Sequence, residues 1–237
     1  MSIKNKTALI TGGSKGIGYS IAEALLKEGA KVAITSRSLE SARKSAARLA
    51  SNGQGKILPI QADVRSYEAQ MKMVTEVLKE FETIDIVIAN AGVGHFVPVD
   101  QLSIEQWNEV IDVNLTGVFY TVRSTVDALK KSKGYLITIA SLAGTNFFAN
   151  GAAYNASKFG LVGFTQAVML DLRKQGIKVS TIMPGSVATE FSNREVNEKD
   201  AWKIQPEDIG QIVVDLLKMP VRTLPSKVEV RPSIPPK

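Results

Sequence analysis

Short apolar runs alternate along the chain with longer stretches in which apolar residues recur every three or four positions. The short runs are typical of strands buried on both faces of a parallel sheet, and the longer spacing is typical of helices packed on that sheet. The pattern predicts strands over 7–11, 31–36, 56–61, 84–89, 134–140, 177–183 and 227–230. It predicts helices over 16–28, 39–51, 67–81, 103–131, 151–175 and 206–218. This alternation indicates the α/β class, with a doubly wound, seven-stranded parallel sheet and helices on both faces.

The chain shows no internal boundary. Neither a linker, a composition shift nor a short repeat divides it, so we expect one domain over 1–237. The least regular stretch is predicted to be a mobile surface flap over 186–205. The proline-rich tail over 231–237 is expected to lie extended on the surface because proline cannot continue a helix.

Composition and charge narrow the possible functions. The absence of cysteine and the single histidine exclude a disulfide framework, a thiolate nucleophile and metal sites built on sulfur or on several histidines, so no metal is expected. The net charge is +6, but the basic residues are scattered along the chain. This distribution favours an anionic small ligand over nucleic acid. No apolar run suffices to span a bilayer and no leader segment precedes the first strand. We therefore expect a cytoplasmic protein without a membrane partner.

A glycine-rich turn follows the first predicted strand and opens the first helix. Gly12 suits the tight turn, Gly16 lets backbone amides approach a pyrophosphate, and Gly18 lets the helix pack closely on the sheet. The position predicts a dinucleotide site whose other contacts include Ser14, Lys15 and Ile17. A glycine turn with a purely structural role is the alternative interpretation.

The end of the second strand bears on the choice of dinucleotide. A carboxylate there would hold the ribose hydroxyls of NAD, but the chain has Ser36 and Arg37 at this place and the nearest carboxylate is Glu40. The planar guanidinium of Arg37, with Lys15 in the glycine turn, suits the 2′-phosphate of NADP(H). The alternative is that both cations are ordinary solvated surface charges.

Tyr154 and Lys158 lie four residues apart on a predicted helix, so their side chains project from one face. The phenol has an ordinary pKa of about 10. A nearby ammonium and an oxidised nicotinamide would lower that pKa and let Tyr154 exchange a proton with a substrate oxygen.

Together with these features, a series of motifs in register resembles the short-chain dehydrogenase/reductase family over essentially the whole chain. The chain is most similar to the 3-oxoacyl-acyl-carrier-protein reductases, which implies a Rossmann fold that binds NADP. The matching segments are the turn Thr11 to Gly18, Asp63-Val64, Asn90-Ala91-Gly92, Asn114, Ser141, Tyr154, Lys158, and Pro184-Gly185 with Val187 and Thr189.

The resemblance implies a role for each matching residue. Ser141 polarises the substrate carbonyl, Tyr154 donates the proton in reduction, Lys158 binds the nicotinamide ribose, and Asn114 holds a water that links Lys158 to solvent. The implied cofactor contacts beyond the glycine turn are Asp63, Val64, Asn90, Ala91, Gly92, Tyr154, Lys158, Pro184, Gly185, Val187 and Thr189.

The substrate pocket is less well defined by the sequence. His95 has no nucleophile near it in sequence, so we expect a pocket-wall or loop-packing role rather than catalysis. Phe147, Phe148, Phe191 and Trp202 either line an apolar substrate site or serve as buried packing.

The resemblance implies an NADPH-dependent reductase of a small-molecule carbonyl, free or carrier-bound, that forms a homodimer or homotetramer through helices 103–131 and 151–175. A sepiapterin-reductase-like or other ketone or sugar-alcohol dehydrogenase is one alternative. A non-catalytic NADP-sensing scaffold is another.

Overall fold

Seven parallel strands form one sheet in the computed structural model, which describes residues 2–51, 55–193 and 195–234. The order across the sheet is β3-β2-β1-β4-β5-β6-β7. The strands are β1 (Thr7–Ile10), β2 (Lys31–Ser36), β3 (Ile57–Gln61), β4 (Ile86–Ala89), β5 (Tyr135–Ile139), β6 (Lys178–Pro184) and β7 (Lys227–Val230). All seven predicted strands are confirmed, with ends that move by one or two residues.

The helices occupy the intervals between strands, as predicted. They are α1 (Gly16–Lys27), α2 (Leu39–Ala50), α3 (Tyr67–Phe81), α4 (Ile104–Ile111), α5 (Gly117–Ser132), α6 (Ala152–Leu172) and α7 (Pro206–Lys218). Three of them begin at a serine that accepts a hydrogen bond from the backbone three residues on: Ser38, Ser66 and Ser103. These caps explain why polar residues mark the starts of apolar periodic segments.

Hydrophobic residues cover both faces of the sheet. Along β1, Ala8 and Ile10 pack with α1, α2 and α7, whereas Leu9 between them packs with α3, α5 and α6. Successive strand side chains point to opposite faces, so a strand buried on both sides needs an unbroken apolar run. This arrangement accounts for the strand pattern in the sequence and confirms the doubly wound fold.

The strand order reverses at β1. The chain builds β1, β2 and β3 outward on one side and then returns to place β4 against the other edge of β1. A crevice opens at the carboxyl ends of the strands where such a reversal occurs, and α/β proteins bind ligands there.

The single helix predicted over 103–131 is wrong in detail. A π-helical segment over Asp112–Thr116 separates α4 from α5. It contains Asn114, whose buried amide bonds to Val93 and Ser157. The predicted helix over 151–175 likewise ends as α6 at Leu172 and continues as one 3₁₀ turn to Gln175, before Gly176 at φ +82°.

The predicted flap over 186–205 lacks long regular elements. Its described part contains a turn over Phe191–Asn193 in which Ser192 has φ +59°, one 3₁₀ turn over Glu198–Asp200, and one bridge between Val187 and Ile204. Residue 194, like residues 235–237 of the predicted extended tail, lies outside the described residues. Among the helices of the described residues, none has both the length and the apolar character required to cross a membrane.

Candidate active site

A cavity of about 990 Å³ lies at the carboxyl ends of the central strands. It runs from the glycine turn and the end of β2 to the region between β5, α6 and the flap. Most of the predicted site residues line it: Gly12, Ser14, Lys15, Gly16, Ile17, Ser36, Arg37, Asp63, Val64, Asn90, Ala91, Gly92, Ser141, Phe148, Tyr154, Lys158, Pro184, Gly185, Val187, Thr189, Phe191 and Trp202.

The glycine turn is held against the end of β4. Gly12 has φ +65°, a backbone conformation that favours glycine. The Asn90 side-chain amide donates hydrogen bonds to the carbonyls of Thr11 (2.9 Å) and Gly12 (3.1 Å). Gly18 lies behind the turn rather than on the cavity, and a Cβ there would sit 2.5 Å from the Gly12 carbonyl oxygen. The close packing predicted for Gly18 therefore has a visible cause.

Two exposed cations stand at the β2 end of the cavity. Lys15 is exposed in the glycine turn, and the Arg37 side chain is 63% exposed. The Arg37 guanidinium lies 3.8 Å from a carboxylate oxygen of Glu109, whose other oxygen is 2.8 Å from His95 Nε2. Glu109 was not expected in the site. Because it lies on α4, far from Arg37 in sequence, no local pattern links the two.

Asp63 is paired within its own loop. Its carboxylate accepts hydrogen bonds from the guanidinium of Arg65, the shorter at 2.6 Å. These bonds hold the pKa of Asp63 below its usual value, whereas partial burial acts in the opposite direction. Asp63 therefore faces the cavity as a carboxylate, beside the charge cluster of Arg37 and Glu109.

The Tyr154–Lys158 pair lies at the other end of the cavity. Lys158 is only 4% exposed, and its ammonium is 5.6 Å from the centroid of the Tyr154 ring. The ammonium donates a 3.1 Å hydrogen bond to the Ile139 carbonyl at the end of β5. Ser141 follows this strand, and its hydroxyl donates to the Pro184 carbonyl at 3.3 Å and accepts from the Ala143 amide at 3.1 Å.

Burial sets the protonation of this pair. It raises the pKa of Tyr154 to about 12, although the Ser141 hydroxyl acts to lower it. Burial also lowers the pKa of Lys158 to about 8. The expectation from the sequence was that an ammonium and an oxidised nicotinamide together lower the phenol pKa. For the side chains of the protein alone the direction is upward, because burial disfavours the phenolate more than the Ser141 hydroxyl favours it.

Asn114 lies beneath the cavity surface. Its side chain is fully buried, and it accepts a hydrogen bond from the Val93 amide and donates to the Val93 carbonyl, both at 2.9 Å. It also donates to the Ser157 hydroxyl at 3.1 Å. A Cβ on Gly92 would be 3.4 Å from the Asn114 oxygen and 3.9 Å from the Lys158 nitrogen, so both side chains end close to Gly92.

A second amide fixes the loop that carries Ser141. Asn155 is buried on α6 and donates hydrogen bonds of 2.8 Å to the carbonyls of Ala143 and Asn146. It sits next to Tyr154 in sequence, so the same helical turn holds the tyrosine and the serine loop together. Asn155 was not among the predicted site residues. The signal available in the sequence was an amide side chain directly after Tyr154, inside the helix predicted over 151–175.

Three phenylalanines form a cluster beside the Tyr154 ring, and two of them contact it. Phe96 and Phe191 have ring centroids 5.3 and 5.7 Å from that of Tyr154, and Phe148 lies 5.9 Å from Phe96. We call Phe96, Phe148 and Phe191 the aromatic wall. Phe96 was missed by the sequence analysis, although it follows the Asn90-Ala91-Gly92 segment at the same edge of the sheet.

Two residues proposed for the substrate pocket lie elsewhere. His95 does not line the cavity, because its ring turns toward α4 to reach Glu109. Phe147 also lies off the cavity and is 85% exposed, whereas its neighbour Phe148 packs on Phe96. Consecutive residues in an irregular loop can point in different directions, which explains the separation of Phe147 from Phe148.

Comparison with known proteins agrees with this geometry. Within the described residues, no group of three or more His, Asp or Glu side chains is placed to hold a metal ion. The short chain dehydrogenase family model matches residues 6–200. An uncharacterized oxidoreductase of Staphylococcus saprophyticus is 32% identical over 233 residues, which cover 98% of this chain and 99% of that protein.

Solved structures share the whole fold. An alcohol dehydrogenase of the archaeon Thermococcus sibiricus, complexed with 5-hydroxy-NADP, superposes with a TM-score of 0.92 at 29% identity and covers 99% of this chain and 100% of its own. A 3-ketoacyl-(acyl-carrier-protein) reductase of Brucella melitensis, complexed with NADH, gives 0.88 at 26% identity, covering 98% and 99%. The motifs, the sheet order and these matches lead to one conclusion: the chain belongs to the short-chain dehydrogenase family of oxidoreductases.

Proposed function

We propose that this oxidoreductase reduces a carbonyl compound to an alcohol with NADPH, and that Tyr154 donates the proton. One observation carries the proposal: the partly buried Tyr154 and the buried Lys158, beside Ser141, share a single cavity with a glycine turn and two exposed cations. The cavity extends from the end of β2 to the flap, so its lining can contact both ends of a dinucleotide. We further propose that residues 1–237 act as one domain.

The residues at the glycine turn fit a dinucleotide. The described residues provide no side-chain cap at the start of α1, so its first amides remain available to a pyrophosphate. Asp63, Val64, Asn90 and Ala91 line the same half of the cavity and are proposed to surround the adenosine. When bound, the nicotinamide supplies the hydride to the carbonyl carbon.

The protein supplies the proton. A phenol with a pKa of about 12 keeps its proton at neutral pH, so Tyr154 is suited to donate to the developing alkoxide oxygen. Ser141 is proposed to hydrogen-bond the same oxygen. Lys158, with a pKa of about 8, is proposed to bind the nicotinamide ribose and to return a proton to Tyr154, with Asn114 holding a water on the path to solvent.

The preference for NADPH over NADH rests on the charges at the β2 end. Arg37 offers a planar fork to a phosphate, Lys15 is exposed on the same side, and the residues from Ser36 to Ser38 carry no carboxylate. The NADP derivative in the archaeal alcohol dehydrogenase and the NADH in the Brucella reductase belong to those proteins. Arg37 is therefore the feature of this chain that favours the phosphorylated cofactor.

A dimer is proposed to form through α5 and α6. Each helix leaves an aromatic ring on the surface, with Phe119 46% and Phe159 42% exposed. Phe119 packs edge-on against Phe164 at a centroid distance of 6.3 Å, which joins the two helices into one apolar face. Such a face is stabilised when a second copy covers it.

A carbonyl panel tests the proposed function. The purified protein is mixed with NADPH or NADH and with acetoacetyl thioesters, pterins, sugars, diketones or simple ketones, and the loss of absorbance of the reduced cofactor is followed. We expect turnover of at least one carbonyl class, faster with NADPH. Tight NADPH binding without turnover of any carbonyl would support an NADP-sensing scaffold instead.

A further inference from the structure

We propose that the aromatic wall selects neutral carbonyl substrates that carry a flat apolar ring, and that it discriminates against anionic oxo acids. The inference deepens the proposed function and rests on it, since it concerns the substrate of the same site. It depends on three sets of observations: the arrangement of the rings, the glycines beneath them, and the charges around them.

The wall is assembled from three separate segments. Phe96 comes from the loop after β4, Phe148 from the loop before α6, and Phe191 from the flap. Phe96 meets the Tyr154 ring at an interplanar angle of 69°, and Phe191 meets it at 57°. The substrate oxygen must reach the Tyr154 hydroxyl, so the group attached to the carbonyl lies among these rings.

The backbone is shaped to accept the rings. A Cβ on Gly94 would lie 2.9 Å from Phe96 Cζ and 3.0 Å from Phe191 Cε1. A Cβ on Gly151 would lie 2.7 Å from Phe148 Cε2. The Ser192 hydroxyl also donates a 2.8 Å hydrogen bond to the Gly94 carbonyl, which fastens the flap to the loop that bears Phe96. The rings therefore occupy places in which the backbone leaves room for them.

The wall still exposes apolar surface. Phe96 is 40% and Phe148 48% exposed although both line the cavity. A ligand that covers these rings removes apolar area from water. Aromatic side chains meet other rings in tilted or offset arrangements that add to the gain from area alone, so a flat ring is favoured over a flexible alkyl chain.

The nearby charges disfavour an anionic substrate. Two cations line the cavity near the flap, and among the described residues each is paired with a carboxylate: Lys203 with Asp200, and Arg231 with Glu229. Glu190, next to Phe191, adds a further exposed carboxylate to the lining. An oxo acid bound among the rings would therefore lose water around its carboxylate, and the cation beside Tyr154, the Lys158 ammonium, is only 4% exposed and already donates to the Ile139 carbonyl.

The test compares three ketones of ten carbons in the presence of NADPH. Benzylacetone has a ring and no charge, 2-decanone has neither, and 2-oxo-4-phenylbutanoate has a ring and a carboxylate. We expect kcat/KM for benzylacetone to be about 3- to 10-fold above that for 2-decanone, which is the range that one aromatic contact supplies. The oxo acid is expected to be the poorest substrate.

Neighbouring phenylalanines provide a matched pair of variants. Phe148→Ala is expected to lower the ratio of kcat/KM for benzylacetone to that for 2-decanone by about 3- to 10-fold. Phe147→Ala removes a ring of the same type from the adjacent, 85% exposed position and is expected to leave the ratio unchanged. An effect confined to Phe148→Ala supports a ring-selective wall.

The outcomes separate this inference from the proposed function. Equal or faster turnover of 2-decanone or of the oxo acid would overturn the aromatic preference and leave the carbonyl reductase standing. An unchanged ratio in Phe148→Ala would do the same. If NADPH binds but no carbonyl of any class is reduced, the inference and the proposed function both fall.

Discussion

Replacing Lys158 by methionine tests the cost of keeping an ammonium in the site. Lys158 is 4% exposed, and its burial lowers the pKa from 10.5 to about 8. Each pKa unit corresponds to about 1.4 kcal/mol, so at pH 7 the charged side chain costs the folded state about 3 kcal/mol. Lys158→Met removes this cost but leaves the Ile139 carbonyl without its 3.1 Å hydrogen bond, a loss of about 1–3 kcal/mol.

The pH dependence of the stability difference separates the cost of the buried charge from the loss of the hydrogen bond. Because the folded pKa lies below the unfolded one, the folded state binds fewer protons between pH 8 and 10.5, and the wild type gains stability as pH rises through this window. The cost falls to about 1.4 kcal/mol at pH 9.5, so the wild type should gain about 2 kcal/mol relative to Lys158→Met between pH 7 and 9.5. Below pH 8 the difference should level off.

Urea unfolding of both proteins measures this difference. The two are compared at the same protein concentration at each pH, since association also affects apparent stability. Other titrating groups are common to both proteins, so they largely cancel in the difference. A stability difference that stays constant from pH 7 to 9.5 would refute the claim that Lys158 is strongly desolvated.

Three further predictions concern the cofactor half of the site. Arg37→Ala should raise the Kd of NADPH about 10-fold and that of NADH less than about 3-fold in a fluorescence titration. The reason is that a charge-assisted hydrogen bond from an exposed side chain is worth roughly 1.5 kcal/mol. Equal losses of affinity for the two cofactors would contradict a phosphate contact. Glu109→Gln removes the carboxylate 3.8 Å from Arg37, so NADPH should bind about 2- to 3-fold more tightly and NADH as before; weaker NADPH binding would show that Glu109 positions Arg37. Gly18→Ala places a Cβ 2.5 Å from the Gly12 carbonyl oxygen and should lower the free energy of unfolding by about 1–3 kcal/mol in urea; unchanged stability and NADPH affinity would argue against the close packing.

The order of elements could be predicted because burial on both faces leaves a direct trace in the sequence. Strand β4 is an unbroken apolar run, β5 is interrupted only by Thr138, and the helices between the strands show the three-to-four spacing. The π segment at 112–116 left no such trace. Its bonds from Asn114 to Val93 and Ser157 join residues 21 and 43 positions away, so only the tertiary structure displays them.

Site residues could be predicted where a motif fixes the residue type, but not where loop packing decides which side chains face the cavity. Tyr154, Lys158 and Ser141 meet at one end of the cavity, as the motifs implied. The difference between Phe147 and Phe148 depends on the path of an irregular loop, which composition does not encode. The direction of the Tyr154 pKa shift depends on the balance between burial and the hydrogen bond with Ser141, and that balance requires the three-dimensional structure.

The contact between Glu109 and Arg37 illustrates the same limit. Arg37 was identified because it directly follows β2 beside the glycine turn, where a carboxylate or a cation selects the cofactor in dinucleotide-binding folds. Glu109 reaches it from α4, 72 positions later in the chain. The prediction for Glu109 rests on its distance from Arg37 and on its charge, and no pattern in the sequence links the two residues.

The most direct test of the proposed chemistry is the Tyr154→Phe variant, which removes one oxygen and keeps the ring packing with Phe96 and Phe191. NADPH oxidation is measured with a carbonyl that the wild type reduces, and NADPH binding is measured by fluorescence on the same samples. We predict that kcat falls by at least about 100-fold, the lower range for loss of general acid catalysis, while the Kd for NADPH changes less than about 3-fold. Turnover within a few fold of the wild type would contradict the assignment of Tyr154 as the proton donor.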